Sequence, residues 1–402
     1  MPDRQGVNRE CARRILARER DAFVAAHPQS QALSARAAQH LLFGVPLHWM
    51  NDWPTPFSLY VEAARGAAIT DVDGLRYADF CLGDTGAMFG HAPPAVARAL
   101  ARQAERGFTT MLPGADAVAV SAALAQRFGL PYWQFAMTAS DANRFALRWA
   151  RAATGRGKIV VFNGCYHGTV DDVFVDLAAG RPTQRASLLG QVHDLLPHTR
   201  VVEFNDLDAL ARALADDEVA CVLAEPVMTN VGMVLPEPGF WREAQALMQR
   251  HGTLLLIDET HTISSSPRGY AREHGIEPDL FVLGKPVGGG VPCAAYGFRA
   301  GLAERLAQGL AATIARHALP WCVTRVGARS EFQFCATPPR NGSEARAAMD
   351  DALERVIHLY LLNRGVLITP FHNMMLVCPD TTEADVERLL GAFDACLGEL
   401  RA

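Results

Sequence analysis

Between about residue 130 and residue 300, short apolar runs alternate with stretches of helical periodicity. The apolar runs cover residues 132–137, 158–162, 220–224, 253–257 and 280–283. Strands that alternate with helices favour a mostly parallel sheet covered by helices on both faces. The pattern therefore predicts an α/β fold whose large domain is built around such a sheet.

The two flanks have a different pattern. Helical periodicity predicts helices over residues 10–25, 34–42, 94–106 and 115–128, with short strands over 57–62, 67–70 and 76–80. After residue 300, predicted helices at 301–317 and 344–363 and a last helix after 381 mix with strands at 323–327, 331–335, 366–369 and 374–378. We expect an N-terminal segment of the small domain (1–80), a large domain (81–300) and a C-terminal small α+β domain (301–402).

Each predicted strand of the large domain is followed by polar or reactive side chains. They include Ser140, His167, Glu225, Asp258 and Lys285. In open α/β sheets, ligands bind in the crevice outside the carboxyl ends of the strands. We therefore expect these side chains to converge on one site.

Composition narrows the class of protein. The net charge of −5 gives no sign of a basic surface for nucleic acid or anionic membranes. No apolar run is long enough to span a bilayer, and the first 25 residues lack an apolar signal core. The nine cysteines are scattered singly, which favours reduced thiols and offers no metal-ligand spacing. We expect a cytoplasmic protein that acts on small molecules and holds no metal.

Lysine is rare in this chain. Lysine and arginine total 38, and the only lysines are Lys158 and Lys285, so 36 are arginines. An arginine cannot lose its proton in a protein and so cannot attack a carbonyl. A lysine retained at position 285, shortly before three consecutive glycines, indicates an amine that is needed as a nucleophile. A structural or solvated lysine is the alternative.

Two further strand ends suggest cofactor contacts. Ala139 and Ser140 stand where a strand gives way to a helix, and free N–H groups there can hold a phosphate. Asp258 ends a very apolar strand, and an ionised carboxylate at that position needs a partner such as a protonated pyridine nitrogen. A helix cap and a turn cap, respectively, are the alternatives.

Three other side chains are more ambiguous. Tyr166 can stack on a flat cofactor, or it can be an ordinary core aromatic. Glu225 is either an acid of the site or a member of a buried ion pair, and His261 either acts directly or hydrogen-bonds near Asp258. An amine, a carboxylate, a stacking ring and a phosphate seat are together what a pyridoxal-phosphate enzyme supplies.

The motifs resemble those of class III aminotransferases, which have the type I pyridoxal-phosphate fold, and most of all the branch of glutamate-1-semialdehyde aminomutase. The matching residues follow the family's order over roughly residues 50–300: Gly90-His91 with Pro94, Thr138-Ala139-Ser140-Asp141-Ala142, Tyr166-His167-Gly168, Glu225-Pro226, Asp258-Glu259-Thr260, and Gly284-Lys285 before Gly288-Gly289-Gly290. The resemblance implies pyridoxal 5'-phosphate as cofactor and a homodimer with its active sites at the subunit interface.

The resemblance also implies roles for individual residues. Lys285 forms the internal aldimine and later moves the proton, while Asp258 pairs with the pyridinium. The other cofactor contacts that it implies are Ala139 and Ser140 at the phosphate, Tyr166 and Thr260 on the two ring faces, and Glu225 and His261 near the ring.

The chain departs from the family pattern in two places. Ala139 stands where relatives have a glycine, so the phosphate turn can sit slightly differently. Between Arg299 and Leu319, relatives carry roughly fifty more residues, including a Gly-Thr-Phe or Gly-Thr-Leu segment whose threonine closes the partner subunit's phosphate site. A deletion there would weaken cofactor retention.

Three functional hypotheses follow. The first is a transaminase that moves an amino group between an amino acid or amine and a 2-oxo acid. The alternative is an aminomutase that moves the amino group within one molecule. The third is a catalytically impaired relative that lacks the partner's phosphate-binding segment. Trp53, Asp84, Thr85 and the loop around His372 are candidate substrate contacts.

Overall fold

The computed structural model describes residues 9–401, except 54, 79–80, 186–187, 231–233, 299–300, 327–328 and most of the stretch 339–382. His372 and most of the predicted helix at 344–363 therefore lie outside the described residues. The chain forms two compact units, Met1–Thr110 and Met111–Ala402. The predicted domain boundaries at residues 80 and 300 stay a prediction. Among the described residues, no helix is long and apolar enough to cross a bilayer.

The first unit combines helices with a three-stranded antiparallel sheet in the order β1–β2–β3. Its elements are α1 (Arg9–Ala26), α2 (Pro28–Ala37), β1 (Val61–Arg65), β2 (Ala68–Asp71), β3 (Arg76–Ala78) and α3 (Pro94–Ala104). The predicted helix at 34–42 was misplaced, because Pro28 in the first turn favours an earlier start. The Tyr77 hydroxyl donates to Asp71 at 2.6 Å and lies 2.7 Å from His27, which links α1 and α2 to the sheet.

The second unit contains the predicted α/β alternation. Its strands are β4 (Tyr132–Ala136), β5 (Lys158–Phe162), β6 (Val175–Ala178), β7 (Arg181–Gln184), β8 (Thr199–Val202), β9 (Val219–Ala224), β10 (Leu254–Asp258), β11 (Leu280–Leu283), β12 (Ala294–Phe298), β13 (Cys322–Val326), β14 (Arg329–Gln333) and β15 (Met374–Leu376). Its helices are α4 (Ala115–Phe128), α5 (Ala139–Thr154), α6 (Leu207–Leu214), α7 (Phe240–Arg250), α8 (Gly269–Glu273), α9 (Gly301–Arg316) and α10 (Glu383–Arg401).

A seven-stranded sheet in the order β4–β12–β11–β10–β9–β5–β8 forms the centre of this unit. The strands from β11 to β8 are parallel, and β12 is antiparallel to both of its neighbours. The mostly parallel sheet is thus confirmed. Two predicted strands, 158–162 and 280–283, have the observed bounds, while β8 and β12 were not predicted.

Helices cover both faces of this sheet, which explains why its strands are apolar throughout. Along β5, Ile159 and Val161 pack with α5 on one face, while Val160 and Phe162 pack with α6 and α7 on the other. Successive strand residues point to opposite faces, so a strand covered on both sides shows no polar alternation. The smaller sheet β13–β14–β15 packs against α9, and Phe332 and Leu310 belong to the same core as α5.

Candidate active site

The carboxyl ends of adjacent parallel strands bring the predicted residues together. Asp258 is the last residue of β10, Glu225 follows β9, and Lys285 follows β11 after a single glycine. His167 lies in the loop that leaves β5. Because β5, β9, β10 and β11 are neighbours in the sheet, these four side chains share one edge.

Asp258 is the centre of the most highly connected polar group at this edge. Its side chain is buried, and the residue is 3% exposed. The Oδ2 atom accepts hydrogen bonds from Asn143 Nδ2 at 2.8 Å and His167 Nδ1 at 2.9 Å. The Oδ1 atom accepts from the N–H of Thr260 at 3.0 Å and from its hydroxyl at 2.6 Å. Four hydrogen bonds thus fix the orientation of this carboxylate.

This arrangement keeps Asp258 ionised. Burial acts to raise the pKa of Asp258, but the hydrogen bond and the charge of His167, with the donors of Thr260 and Asn143, hold that pKa below its usual value. Burial acts to lower the pKa of His167, but the hydrogen bonds and charges of Asp258 and Cys165 together outweigh it and raise that pKa to about 10. The pair is therefore a buried carboxylate and imidazolium.

The amino end of α5 forms the expected phosphate seat. Thr138 caps the helix, because its Oγ1 accepts from the N–H of Asp141 at 3.1 Å and donates to the Asp141 carboxylate at 2.7 Å. The helix therefore begins at Ala139. The N–H groups of Ala139 and Ser140 lie in the first turn, where the helix itself offers no acceptor. Ser140 Oγ accepts from the N–H of Thr169 at 2.9 Å, which leaves its own proton to donate.

Two glycines allow the backbone to close around this seat. A Cβ on Gly284 would lie 2.7 Å from Ala139 Cβ and 3.2 Å from Thr260 Oγ1, so only glycine fits immediately before Lys285. A Cβ on Gly168 would lie 2.1 Å from Ser140 Oγ, and its φ of +83° also favours glycine. Gly284, which precedes Lys285, therefore lies in contact with Ala139 of the phosphate seat and with Thr260 beside Asp258.

Lys285 is held in an unusual backbone conformation. Its φ is +45°, a left-handed value that a side-chain-bearing residue adopts only at an energetic cost of about 1 kcal/mol or more. Its Nζ lies 2.8 Å from His261 Nε2. Such strain is common at active sites, where surrounding structure fixes a side chain in one direction.

Two more carboxylates are buried at this edge. Burial raises the pKa of Glu225, although the N–H and hydroxyl of Thr229 both donate to it. Glu259 is completely buried and accepts from the N–H groups of Tyr270 at 2.7 Å and Ala271 at 2.6 Å. Burial raises the pKa of Glu259 to about 7, and these two donors oppose that shift. Glu259 therefore stabilises the start of α8.

The remaining predicted contacts are placed as follows. Tyr166 is 44% exposed in the loop after β5, whereas Thr260 is buried against Asp258. Trp53, Asp84 and Thr85 lie in the first unit. Trp53 is 56% exposed, and both Asp84 and Thr85 have positive φ angles. Their role as substrate contacts stays a prediction.

Sequence reasoning missed two contributions to this site. Asn143 donates to Asp258 and also to the backbone oxygen of His167 at 3.1 Å, which ties α5 to two strand ends. His167 was expected at the mouth of the sheet, but its pairing with Asp258 was not predicted. A fully buried asparagine on the apolar face of a helix was the available signal, because a buried amide needs polar partners.

These residues fit the pyridoxal phosphate that the resemblance implies. The first turn of α5 and Ser140 supply donors for a phosphate. Asp258 supplies an ionised acceptor for a protonated ring nitrogen, and Lys285 supplies the amine. The close approach at Gly284 joins all three parts in one cradle.

Comparison with known proteins agrees with this geometry. Glutamate-1-semialdehyde 2,1-aminomutase of Neisseria gonorrhoeae is 32% identical over 362 positions, covering 77% of this chain and 84% of the relative. The crystal structure of a glutamate-1-semialdehyde aminomutase from Pseudomonas aeruginosa superposes with a TM-score of 0.72 and 46% identity, covering 98% of this chain and 100% of the other. The crystal structure of an omega-transaminase from Sphaerobacter thermophilus superposes with a TM-score of 0.64 and 26% identity, covering 93% of this chain and 98% of the other.

The comparison with the Neisseria enzyme also bears on the predicted deletion. It spans 362 positions but takes in 77% of 402 residues, about 310, so about 50 positions of the relative have no counterpart here. This number is close to the roughly fifty residues by which relatives were expected to be longer, whereas 98% of this chain covers the whole Pseudomonas chain. Its location between Arg299 and Leu319 stays a prediction.

The family assignment rests on the part of the chain that carries the site. The sequence model of class-III aminotransferases matches residues 49–318, which contain Ser140, Asp258 and Lys285. Members of this family depend on pyridoxal phosphate, and a second structure of the Pseudomonas protein holds the related PMP. With that match and the aminomutase relatives above, this chain belongs to the class-III aminotransferase family and is a pyridoxal-phosphate-dependent enzyme.

Proposed function

We propose that this enzyme is an aminomutase of the glutamate-1-semialdehyde type, which moves an amino group between neighbouring carbons of one molecule. The observation that carries the proposal is the 46% identity to the Pseudomonas aminomutase, against 26% to the omega-transaminase. The relatives with the aminomutase name also include the Neisseria enzyme. The predicted transaminase is thus less well supported than its alternative.

The chain's own residues divide the work of holding the cofactor. The N–H groups of Ala139 and Ser140, with the Ser140 hydroxyl, would hold the phosphate. Asp258 would accept from the ring nitrogen and keep it protonated, because its low pKa leaves it ionised. When bound, the cofactor draws electrons away from the carbon that carries the migrating nitrogen. Tyr166 and Thr260 are proposed to contact the two ring faces.

Lys285 is the residue proposed to move the proton. Its amine can bond covalently to the cofactor and, when displaced by the substrate amine, can carry a proton between two carbon atoms. The positive φ of Lys285 and the close contacts of Gly284 fix the point from which the side chain reaches the site. Glu225 and His261 are proposed to lie near the cofactor ring.

The test measures turnover of glutamate 1-semialdehyde with no 2-oxo acid added. A mutase converts it without an acceptor, whereas a transaminase requires both an amino donor and an acceptor. We expect Lys285→Ala to lower turnover at least about 1000-fold and to abolish borohydride-dependent attachment of the cofactor. Lys158→Ala, which changes the only other lysine, is the control and should retain both properties.

Two outcomes would contradict the proposal. Turnover that depends on an added 2-oxo acid would restore the transaminase hypothesis. A wild-type protein that stays colourless with excess pyridoxal phosphate would instead support the impaired relative. Both outcomes are independent of how well Lys285→Ala folds.

The assembly is a further proposal, namely a homodimer. Met111, Leu112 and Val118 are each at least 75% exposed, and such an apolar stretch favours a protein contact. A sedimentation mass of 43.6 kDa, the mass of one chain, would contradict it. The cytoplasmic location stays a prediction.

A further inference from the structure

Lys285 and His261 lie just beyond the ends of two neighbouring strands. Strands β10 and β11 are parallel, and Asp258 is paired with Val282. His261 is in the turn that follows β10, and Lys285 begins the short 3-10 turn that follows β11. The Nζ and Nε2 atoms lie 2.8 Å apart, and both side chains are partly buried. The contact therefore joins the two turns that follow neighbouring strands of the sheet.

We propose that His261 is a catalytic proton acceptor for the amine of Lys285. A primary amine attacks a carbonyl carbon only through its unshared electron pair, and at neutral pH an alkylammonium holds a proton on that pair. Before the C–N bond can form, an Nζ–H bond breaks and its electron pair stays on Nζ, while an Nε2–H bond forms, so the imidazole becomes an imidazolium. The imidazolium then releases the proton to water. This inference rests on the proposed function for its role in turnover.

Imidazole is the side chain suited to this exchange. Its charge changes between about pH 5 and pH 8, so it can both accept and release a proton near neutral pH. The 2.8 Å separation is within the reach required of a general base. A glutamine at the same place could hold the ammonium by a hydrogen bond but could not take its proton.

The other titratable groups at this edge have identified partners. Asp258 is paired with His167, and Glu225 accepts from Thr229. On α5, Asp141 is bonded to Thr138 and Arg144. Other titratable groups on the elements around Lys285 are Cys165, Tyr166 and Glu259, and Cys293 beside Gly288. These groups are unchanged by a substitution at His261, so a change in the pH profile can be assigned to it.

The scarcity of lysine makes a direct test possible. The full-length apoenzyme is treated with trinitrobenzenesulfonate, and labelling of Lys285 and Lys158 is followed separately by mass spectrometry from pH 5 to pH 9. In the wild type, we expect the Lys285 rate to show an inflection between pH 5 and pH 8. In His261→Gln, the inflection should disappear and the rate at pH 7 should fall about 10-fold. Lys158 should react equally in both proteins.

The direction of the change in Lys285 labelling also checks folding. If His261→Gln unfolded the protein, Lys285 would become accessible and its labelling would rise, so a fall cannot be produced by unfolding. His193→Gln, an exposed histidine of the same unit, is the matched control and should label as the wild type does. Superimposable Lys285 profiles in the wild type and His261→Gln would overturn the proposal.

The rate of loading with pyridoxal phosphate provides a second readout. Loading of His261→Gln, followed by absorbance, should slow most near pH 7 and approach the wild-type rate both at pH 5, where an imidazole is already protonated, and near pH 9. Equal loading rates at every pH would also overturn the proposal. A histidine-dependent profile in a protein without mutase turnover would refute the proposed function alone, and a mutase with unchanged labelling in His261→Gln would refute this inference alone.

Discussion

The two edges of the seven-stranded sheet carry the same kinds of charged side chain in opposite environments. At the amino edge, Lys158 contacts Glu218 and lies 3.7 Å from Asp216, and Arg200 bonds to Asp216; the two acidic side chains are 43–57% exposed. At the carboxyl edge, Asp258 and His167 are buried and paired, and Asp258 also accepts hydrogen bonds from Asn143 and Thr260. Exposed pairs are screened and replaceable by water, whereas buried charges depend on each other. The charged side chains of the amino edge are therefore exposed to solvent, whereas those of the carboxyl edge form the buried candidate active site.

The largest expected effect comes from breaking the buried pair. Asp258→Asn leaves the His167 imidazolium without its anion, and removal of one partner of a buried pair typically costs about 3–5 kcal/mol. We expect that loss in the free energy of unfolding, measured with urea at pH 6, together with weaker cofactor binding. Asp216→Asn at the exposed edge is the matched control and should leave the midpoint of unfolding nearly unchanged.

The pH dependence of this effect follows from the two pKa shifts. Asp258 has a lowered pKa, so its contribution is present above about pH 4 and is lost as the pH falls through the folded value. His167 has a pKa raised to about 10, so its contribution is complete below about pH 6.5 and is lost as the pH rises through 10. The difference in the free energy of unfolding between wild type and Asp258→Asn should therefore be greatest between about pH 4 and pH 6.5.

A double variant sharpens the same prediction. Asp258→Asn with His167→Gln removes both charges, so it should lose less stability than the sum of the two single variants. Additive losses would show that the two side chains do not form an ion pair.

The second prediction concerns Glu259, which neighbours Asp258 in sequence but lacks a cationic partner among its identified contacts. Burial raises the pKa of Glu259 to about 7, so between pH 4.5 and pH 7 the folded protein binds more protons than the unfolded chain. Its contribution therefore falls as the pH rises. Between pH 5 and pH 8, ionisation of Glu259 should lower the free energy of unfolding of the wild type by up to about 3 kcal/mol, and Glu259→Gln should not show this loss.

Urea unfolding at pH 5 and pH 8 measures this difference. The change between the two pH values is the decisive quantity, since the glutamine amide also alters the bonds to Tyr270 and Ala271 at both. Glu237→Gln, an exposed glutamate of the same unit, is the control. An unchanged slope in Glu259→Gln would show that Glu259 is ionised throughout this range.

The sequence was most informative where burial is continuous. Strands β5 and β11 are unbroken apolar runs, so their bounds were predicted, and Asp258 and Lys285 stood out as polar residues at the ends of such runs. Strand β12, Ala-Ala-Tyr-Gly-Phe, was missed because alanine and glycine have low strand propensity. Strand β8 was missed because it is only four residues long and contains an arginine.

The pairings inside the site could not be predicted in the same way. Asn143 reaches Asp258 across 115 positions of sequence, and no local pattern specifies such a contact. The contact between His261 and Lys285 joins the turns after β10 and β11, and the apolar runs alone do not define which residues of those turns meet. Local pattern thus predicted which residues end the strands, while the register and packing determine which of them touch.

The smallest expected effect is at Lys158, which tests whether the exposed ion pairs at the amino edge of the sheet contribute little to stability. Its amine contacts Glu218 and Asp216, yet it is an exposed ion pair, so Lys158→Met should change the free energy of unfolding by less than about 1 kcal/mol. That change should shrink further in 1 M salt, because salt screens exposed charges, whereas the loss in Asp258→Asn should persist. Urea unfolding of both variants at low and high salt makes the measurement, and Lys158→Arg, which keeps the charge, is the control. A salt-resistant loss in Lys158→Met as large as that in Asp258→Asn would mean that the amino edge is as interdependent as the site. In that case burial would not be what distinguishes the two edges.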